Sequence, residues 1–390
     1  MLLLKLAYRN LVGAGLRTWL SVIVLSLSYV VIIWMQGFLD GWNRQGRHDM
    51  IQQEVGGGQV WHSQYDPYDP LTFEDSHAPV PAELSDRVAA GEIAPILLSQ
   101  ATIYPQGRMQ NIVLKGIAPD QDVLTLPTAG LAVDDTAVPA VIGERMARNA
   151  NLQVDDLVTV RWRDAKGALD ACDARIVHIM DTDVPAIDNG IFWVPLERLR
   201  TMLQVPGEAN LLVVGQGLGP MPEAAGWVLQ DQEALLQDFT DMIRMKSISS
   251  SVMYLILLSL ALLAIFDIQV LSIFRRHREI GTLIALGMTR GRVIRLFTLE
   301  GMLHGVLAAL AGAVYGIPLL AWQRVAGFAM PKAVDSYGVA IAETMYPVYS
   351  AQLVVATVLV VMAAVTVVSF LPTRRIAHLN PTDAIRGKVS

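Results

Sequence analysis

The sequence predicts a membrane protein in which four transmembrane α-helices carry a large α+β extracytoplasmic domain, inserted between helices 1 and 2. Three observations predict it. Four apolar runs, within Trp19–Leu39, Val252–Phe274, Val293–Trp322 and Gln352–Leu371, are each long enough to cross about 30 Å of hydrocarbon. Residues 43–243 are polar throughout and hold no such run. Charge is divided the same way: residues 40–246 carry 15 Lys and Arg against 30 Asp and Glu, and the remainder carries 15 against 6. The whole chain is 53% hydrophobic and 17% charged, with a mean hydropathy of +0.41. A soluble domain averages about 45–50% apolar and about 25% charged. An acidic domain between basic membrane flanks argues against nucleic acid as a partner.

In chain order, residues 1–17 place Leu4, Tyr8, Leu11 and Val12 on one helical face and Lys5 and Arg9 on another. That pattern suits a helix lying in the cytoplasmic interface. The first span, 18–40, has Trp19 and Trp42 near its ends, where indole rings favour the interface. It is too long for the core of a signal peptide, has no small-x-small cleavage site after it, and is expected to be retained. Lys5, Arg9 and Arg17 before it put the N-terminus in the cytoplasm by the positive-inside rule.

The extracytoplasmic domain, 41–246, reads as mixed α+β. Ile112–Leu114, Val158–Val160 and Ile176–Ile179 are strand candidates; Ala82–Ala90, Gly143–Ala150, Leu196–Leu203 and Ala224–Phe239 are helical candidates. Tyr65–Pro70 is a turn-rich loop. The second span is 247–274, and a cytoplasmic turn with a short helix fills 275–291. The third span is 292–322, a short outer loop 323–350, the fourth span 351–371 and a cytoplasmic tail 372–390. Arginines 275, 276 and 278, then 290, 292 and 295, then 374 and 375 all fall on the side of the N-terminus, so both termini are cytoplasmic and the large domain is outside. In the third span Gly301, Gly305, Gly312 and Gly316 recur at helical spacing, which lets helix backbones approach closely.

The turn is the most informative stretch. Ile280, Leu283, Ile284 and Leu286 give its short helix an apolar side for a partner's groove, and Gly287 can end it at positive φ. Other chemistry is excluded or unsupported. No Gly-x-x-x-x-Gly-Lys-[Ser/Thr] phosphate loop exists, so ATP is not hydrolysed by that route here. His62, His77 and His178 lack metal-ligand spacing. Asp181, Asp183 and Asp188 lack the 12-residue calcium-loop pattern and read as a solvated loop. There is no Gly-x-Ser-x-Gly elbow, and Cys172 is the single cysteine. Neither a catalytic residue nor a metal site is expected. Three ionisable residues fall within spans, Asp267, Glu300 and His304; local pairing with Arg275 for Asp267 and Arg295 for Glu300 is the expectation.

Arg278-Glu279-Ile280-Gly281, Ala285-Leu286-Gly287 and Glu300-Gly301, after the basic run Arg275-Arg276, resemble the signature of the FtsX-like, or MacB-type (type VII), ABC transporter permeases. Ala7-Tyr8-Arg9-Asn10-Leu11 with Arg17-Thr18, and Pro372-x-x-Arg375-Ile376-Ala377 with Asn380–Arg386, are similar to that family's two ends, with Ile385 standing where the family has Leu. Within the outer domain, Leu114–Pro119, Ile142–Ala147, Val154–Val160 and Phe192–Leu196 look like the lipoprotein-releasing LolC/LolE kind with its MacB-like periplasmic core domain. The resemblance implies a multi-pass protein of the bacterial inner membrane, with the outer domain periplasmic. It implies two copies of a separate ATPase subunit, which bind ATP and Mg, and a second permease subunit, identical or paralogous. No cofactor is expected on this chain itself. Arg275, Arg276, Arg278, Glu279, Ile280, Gly281, Leu283, Ile284, Leu286 and Gly287 would couple to the ATPase. Cargo would be a lipoprotein or lipid-like molecule taken from the outer leaflet. Ile33, Trp34, Met35 and Phe38 facing Met253, Tyr254 and Leu257 are the expected lining of its cavity, beside membrane lipid. Two alternatives stay open: mechanotransmission that switches a periplasmic effector, and export of small molecules or peptides, with a periplasmic carrier or adaptor as partner.

Overall fold

The computed structural model describes residues 16–133, 136–182, 184–329 and 344–374. The expected interfacial helix before Leu16, the motif around Arg9, Asp183, most of the short outer loop and the tail beyond Arg374 lie outside the described residues. The rest forms two compact units, a helical one and a domain over Asn43–Met242.

The first long helix, α1 (Leu16–Met50), continues into a π-helical turn, Ile51–Val55, that ends at Gly56 with φ 63°. The outer domain follows. Its strands are β1 (Gly58–His62), β2 (Ala78–Pro79), β3 (Ile93–Ile103), β4 (Gln110–Ile117), β5 (Val138–Gly143), β6 (Leu157–Arg163), β7 (Leu169–Met180), β8 (Ile191–Pro195), β9 (Glu208–Ala209), β10 (Leu211–Val214) and β11 (Trp227–Asp231). Its helices are α2 (Ala82–Ala89), α3 (Glu144–Ala150), α4 (Pro185–Asp188), α5 (Leu196–Leu203) and α6 (Gln232–Leu235). Then come α7 (Gln237–Arg275), the short α8 (His277–Ala285), α9 (Arg290–Ala326) and α10 (Ala351–Thr373).

The main sheet runs β11-β1-β10-β3-β4-β8-β5-β7-β6, and β3 also pairs with β6. Six strands therefore close on themselves, and β10, β1 and β11 extend from β3 as an open wing. The eleven-residue β3 makes this possible by changing partner: Ile93–Ile96 pair with β10, and Ala101–Ile103 pair with β6. Closure removes two sheet edges and encloses a core of alternating inward residues, among them Leu97, Leu114, Ile142, Val160, Ile176 and Phe192. Helix α5 covers the core with Leu196, Leu199 and Leu203. The opposite face of β3 and β8, with Leu98, Ile191 and Trp193, packs into a second core, with Val113 of β4 beside it.

Two local expectations fail here. Ala224–Phe239 is not one helix: Trp227–Asp231 is an edge strand pairing with β1, and helices begin only at Gln232, where the Asp231 side chain caps Ala234 N at 2.7 Å. Pairing with β1 outweighs the helix-forming composition of the segment. The acidic loop is not solvated at Asp188. That carboxylate is fully buried, accepts from Arg145 N at 3.0 Å at the start of α3, and pairs with Arg145 Nη1 at 2.9 Å.

In the helical unit four helices are long and apolar enough to cross a membrane. Their mutual core draws on all four: Val22, Leu25 and Tyr29 from α1, Ala261 and Ile265 from α7, Ala308 from α9, Val361 and Val365 from α10. The glycines of α9 face neighbours. A Cβ at Gly301 would overlap Ser369, and one at Gly305 would stand 2.8 Å from Met362 Sδ, both on α10. One at Gly316 would stand 2.7 Å from Val30 on α1, and one at Gly312 would stand 3.3 Å from the Ser26 carbonyl oxygen. Polar bonds add to the packing: Thr298 and Thr373 hydroxyls are 3.3 Å apart, and Ser26 and Tyr315 hydroxyls are 3.2 Å apart.

Candidate functional site

The turn between α7 and α9 is built by two backbone events. At Arg276 the backbone leaves the helix (φ −98°, ψ 20°), which separates α7 from α8. At the other end Gly287 takes φ +93°, with Gly287 N bonded to Ile284 O at 3.0 Å and Met288 N to Leu283 O at 3.0 Å. These are the two bonds of a Schellman cap, and the positive φ is why glycine stands there.

Arg276 fastens this helix to the third span. Its Nε and Nη2 each donate to Glu279 at 2.6 Å, and Nη1 donates to Glu300 at 2.9 and 3.1 Å. The guanidinium lies over the Phe297 ring, 4.9 Å from its centroid. One planar cation thus holds a carboxylate from α8 and one from α9 while stacking on α9. The Glu300 side chain is only 6% exposed, against 51% for Glu279. The Arg276 guanidinium holds the Glu279 carboxyl below the usual glutamate range. Glu300 therefore pairs with Arg276, not with the expected Arg295, which is exposed. No ion pair among the described residues joins Asp267 to Arg275. Eight residues of helix put about 12 Å between their backbones, too far for direct contact from one face.

The two sides of α8 are now distinct. Ile280 is 0% exposed and packs with Ile273, Val293 and Phe297, with Ile284 and Met288 beside them; Gly281 is buried as well. Ile280 thus belongs to the anchor and is already covered by the spans, while Ile284 is half-buried beside it. Arg278, Thr282, Ala285 and Leu286 form the outward face; Leu286 is 80% exposed. Leu283 is half-buried, and Arg275 and Glu279 are exposed. Phe297 was not singled out by the sequence; an aromatic residue one turn before a buried glutamate was the available signal.

The seven residues expected to line a cargo cavity do not share one space. Tyr254 and Met35 pack into the bundle core and Ile33 is buried, whereas the adjacent Met253 is 40% exposed. Neighbouring positions on a helix point about 100° apart, and here Tyr254 turns into the core while Met253 turns outward. Trp34 and Phe38 instead form an aromatic trio with Phe328, with centroids 5.8 to 6.3 Å apart. Leu257 is half-buried.

Residues 251–381, which contain most of α7, the turn, α9 and α10, match the FtsX-like permease C-terminal family. The chain is 27% identical over 240 residues to the macrolide export ATP-binding/permease protein MacB of Sodalis glossinidius, covering 56% of this chain and 34% of that protein. It therefore spans about a third of that relative's length. It is 21% identical over 324 residues to the lipoprotein-releasing system transmembrane protein LolC of Xylella fastidiosa, covering 78% of this chain and 76% of that one. A solved structure, the extracellular domain of the ABC-type transporter YknZ from Gram-positive bacteria, aligns with 42% of this chain and 84% of its own at 12% identity and a TM-score of 0.27.

Proposed function

We propose that this chain, which carries an FtsX-like permease domain over residues 251–381, is the membrane subunit of an ABC-type transporter driven by a separate ATPase. The observation that carries the reading is the turn itself. A helix capped at its C-terminus by Gly287 and fastened by Arg276 to Glu279 and Glu300 can transmit a push to α9 without bending away. Its outward face, with Arg278, Thr282, Ala285 and Leu286, is the ATPase docking surface. ATP and Mg are bound by that partner, present in two copies, and a second permease subunit, like or unlike this one, completes the assembly. The protein sits in the inner membrane with both termini cytoplasmic and the β-rich domain periplasmic, where it moves as ATP is turned over.

We infer a lipoprotein or another lipid-like molecule as cargo, taken from the outer leaflet. The support is the match to a LolC protein along most of both chains. The test is site-directed crosslinking from Leu286→Cys in a Cys172→Ser background, with each candidate ABC ATPase of the same genome. A nucleotide-dependent crosslink is expected. Failure of every such ATPase to crosslink, or to change its hydrolysis rate in the presence of the chain, refutes the reading. Lipoprotein bound without nucleotide and released by ATP would establish the cargo.

A further inference from the structure

The segment that leads into α10 lies in a groove on α1. Gly37 and Gly41 stand one helical repeat apart and so share one face of that helix. A Cβ at Gly37 would overlap the Tyr349 ring. One at Gly41 would overlap the Tyr346 carbonyl oxygen and stand 3.0 Å from Pro347 Cα. Each glycine thus leaves a gap the size of a side chain, and the strap Met345–Tyr349 fills both. Val348 N donates to the Gly37 carbonyl oxygen, inside α1, at 2.8 Å. Met345 is 1% exposed, so the strap is buried where it begins.

The contacts continue on both sides of the strap. Ser350 caps α10 directly after it, its hydroxyl oxygen accepting from Leu353 N at 3.1 Å. About two turns on, the Thr357 hydroxyl donates to Gln36 Oε1 at 3.3 Å. Phe328, just after α9, meets Trp34 and Phe38 with ring centres 6.3 and 5.8 Å apart. The stretch from Trp34 to Gly41 therefore receives chain from both ends of the connection between α9 and α10. Interior glycine weakens a helix relative to alanine, and small residues on a span usually seat another span. Gly37 and Gly41 seat non-helical backbone instead. Pro347 restricts the strap further, because its ring fixes φ.

The fit is an interlock. Sliding along α1 would drive the Tyr349 ring and the Tyr346 carbonyl out of their gaps and against the larger side chains that flank them, among them Trp34 and Phe38. The gripped helix is also the one that leads to the β-rich domain: α1 continues to Met50, through the π-helical turn Ile51–Val55, and on to β1. We propose that Met345–Tyr349 is a fixed tie between the first and last spans, which holds the leading end of α10 to α1 so that α10 follows any axial shift or rotation of α1. The tie belongs to the helical unit alone and stands whether or not an ATPase drives the chain.

The experiment uses the full chain in lipid nanodiscs, in a Cys172→Ser background, with spin labels at Leu39→Cys on α1 and Val355→Cys on α10. Double electron–electron resonance reads the distance between them, and a single narrow distribution is expected. Gly41→Val fills one gap, and Val348→Pro removes the N–H donor without touching α1. Each should broaden the distribution about twofold. In unlabelled protein, Met345→Cys should react with a water-soluble maleimide about tenfold faster in either variant than with the strap intact. Gly219→Val, whose Cβ meets open space in the β-rich domain, should change neither readout. A broad distribution with the strap intact overturns the proposal, as does an unchanged width or an unchanged Met345→Cys rate in Val348→Pro. That variant decides the matter if Gly41→Val fails to fold.

Discussion

Removing the Arg276 side chain tests the clamp at the turn. Three groups lose a partner or a surface in Arg276→Leu: Glu300, Glu279 and the Phe297 ring. They are not equal. Glu300 is nearly buried, with 6% of its side chain exposed, and breaking a buried pair from one side costs about 3–5 kcal/mol. Glu279 is about half exposed, and a pair of that kind contributes about 0–1 kcal/mol. The stacking on Phe297 adds about 0.5–1 kcal/mol. The loss is thus dominated by the broken Arg276–Glu300 pair, which makes a sharp expectation. Arg276→Leu should destabilise by about 3–5 kcal/mol, Glu279→Gln by under about 1 kcal/mol. The double variant Arg276→Leu with Glu300→Leu should recover most of the stability, because no charge is left buried. ATPase stimulation should not recover in the double variant, since α8 is then held to α9 by apolar contacts alone. Reversible unfolding in mixed micelles gives the stabilities, and hydrolysis by the reconstituted partner gives the coupling. A double variant no more stable than Arg276→Leu, or an Arg276→Leu cost below that of Glu279→Gln, would refute this account.

Other expectations follow from single contacts. Gly287→Val puts a β-branched residue at φ +93° with open space around its Cβ, so strain and not a clash is the cause; insertion should be normal and ATPase coupling reduced, read by the hydrolysis assay. Gly301→Ala drives a methyl group into Ser369 and should cost about 1–3 kcal/mol by unfolding in micelles, with Ser369→Gly restoring most of it. In the outer domain, Asp188→Leu breaks the buried pair with Arg145 and uncaps α3; a cost of about 3–5 kcal/mol is expected from thermal unfolding of that domain, because the carboxylate is fully buried. The Glu279 carboxyl is held below its ordinary value, so its contribution is complete above the usual glutamate pKa and is lost as pH falls through the lowered one. Coupling should therefore be insensitive to Glu279→Gln at acidic pH below that window and sensitive to it at neutral pH.

What the sequence disclosed and what it hid separate along one physical line. The four spans were legible because apolar composition over about 20 residues has few other uses. Gly287 was legible because a positive φ after a short helix is a local demand. The clamp was not. Arg275, Arg276 and Arg278 are equivalent as sequence; the backbone break at Arg276 selects the one that turns toward Glu300, 24 positions away. The ends of the helices were hidden too: α1 runs past Asp40 to Met50 and α7 begins at Gln237, because a helix outside the hydrocarbon needs no apolar run.

Strand β4 shows the same division on its own. Alternation in Ile112-Val113-Leu114-Lys115 puts Ile112 and Leu114 on one face, Val113 and Lys115 on the other. A face that carries a lysine reads as the solvent side of a sheet. It is instead covered by Phe73 and the π-helical turn, far from β4 in sequence, together with Leu124 shortly after it. Period-two patterning reports only that two faces differ. Whether the polar one meets water or a second core is decided by what the chain later lays over it.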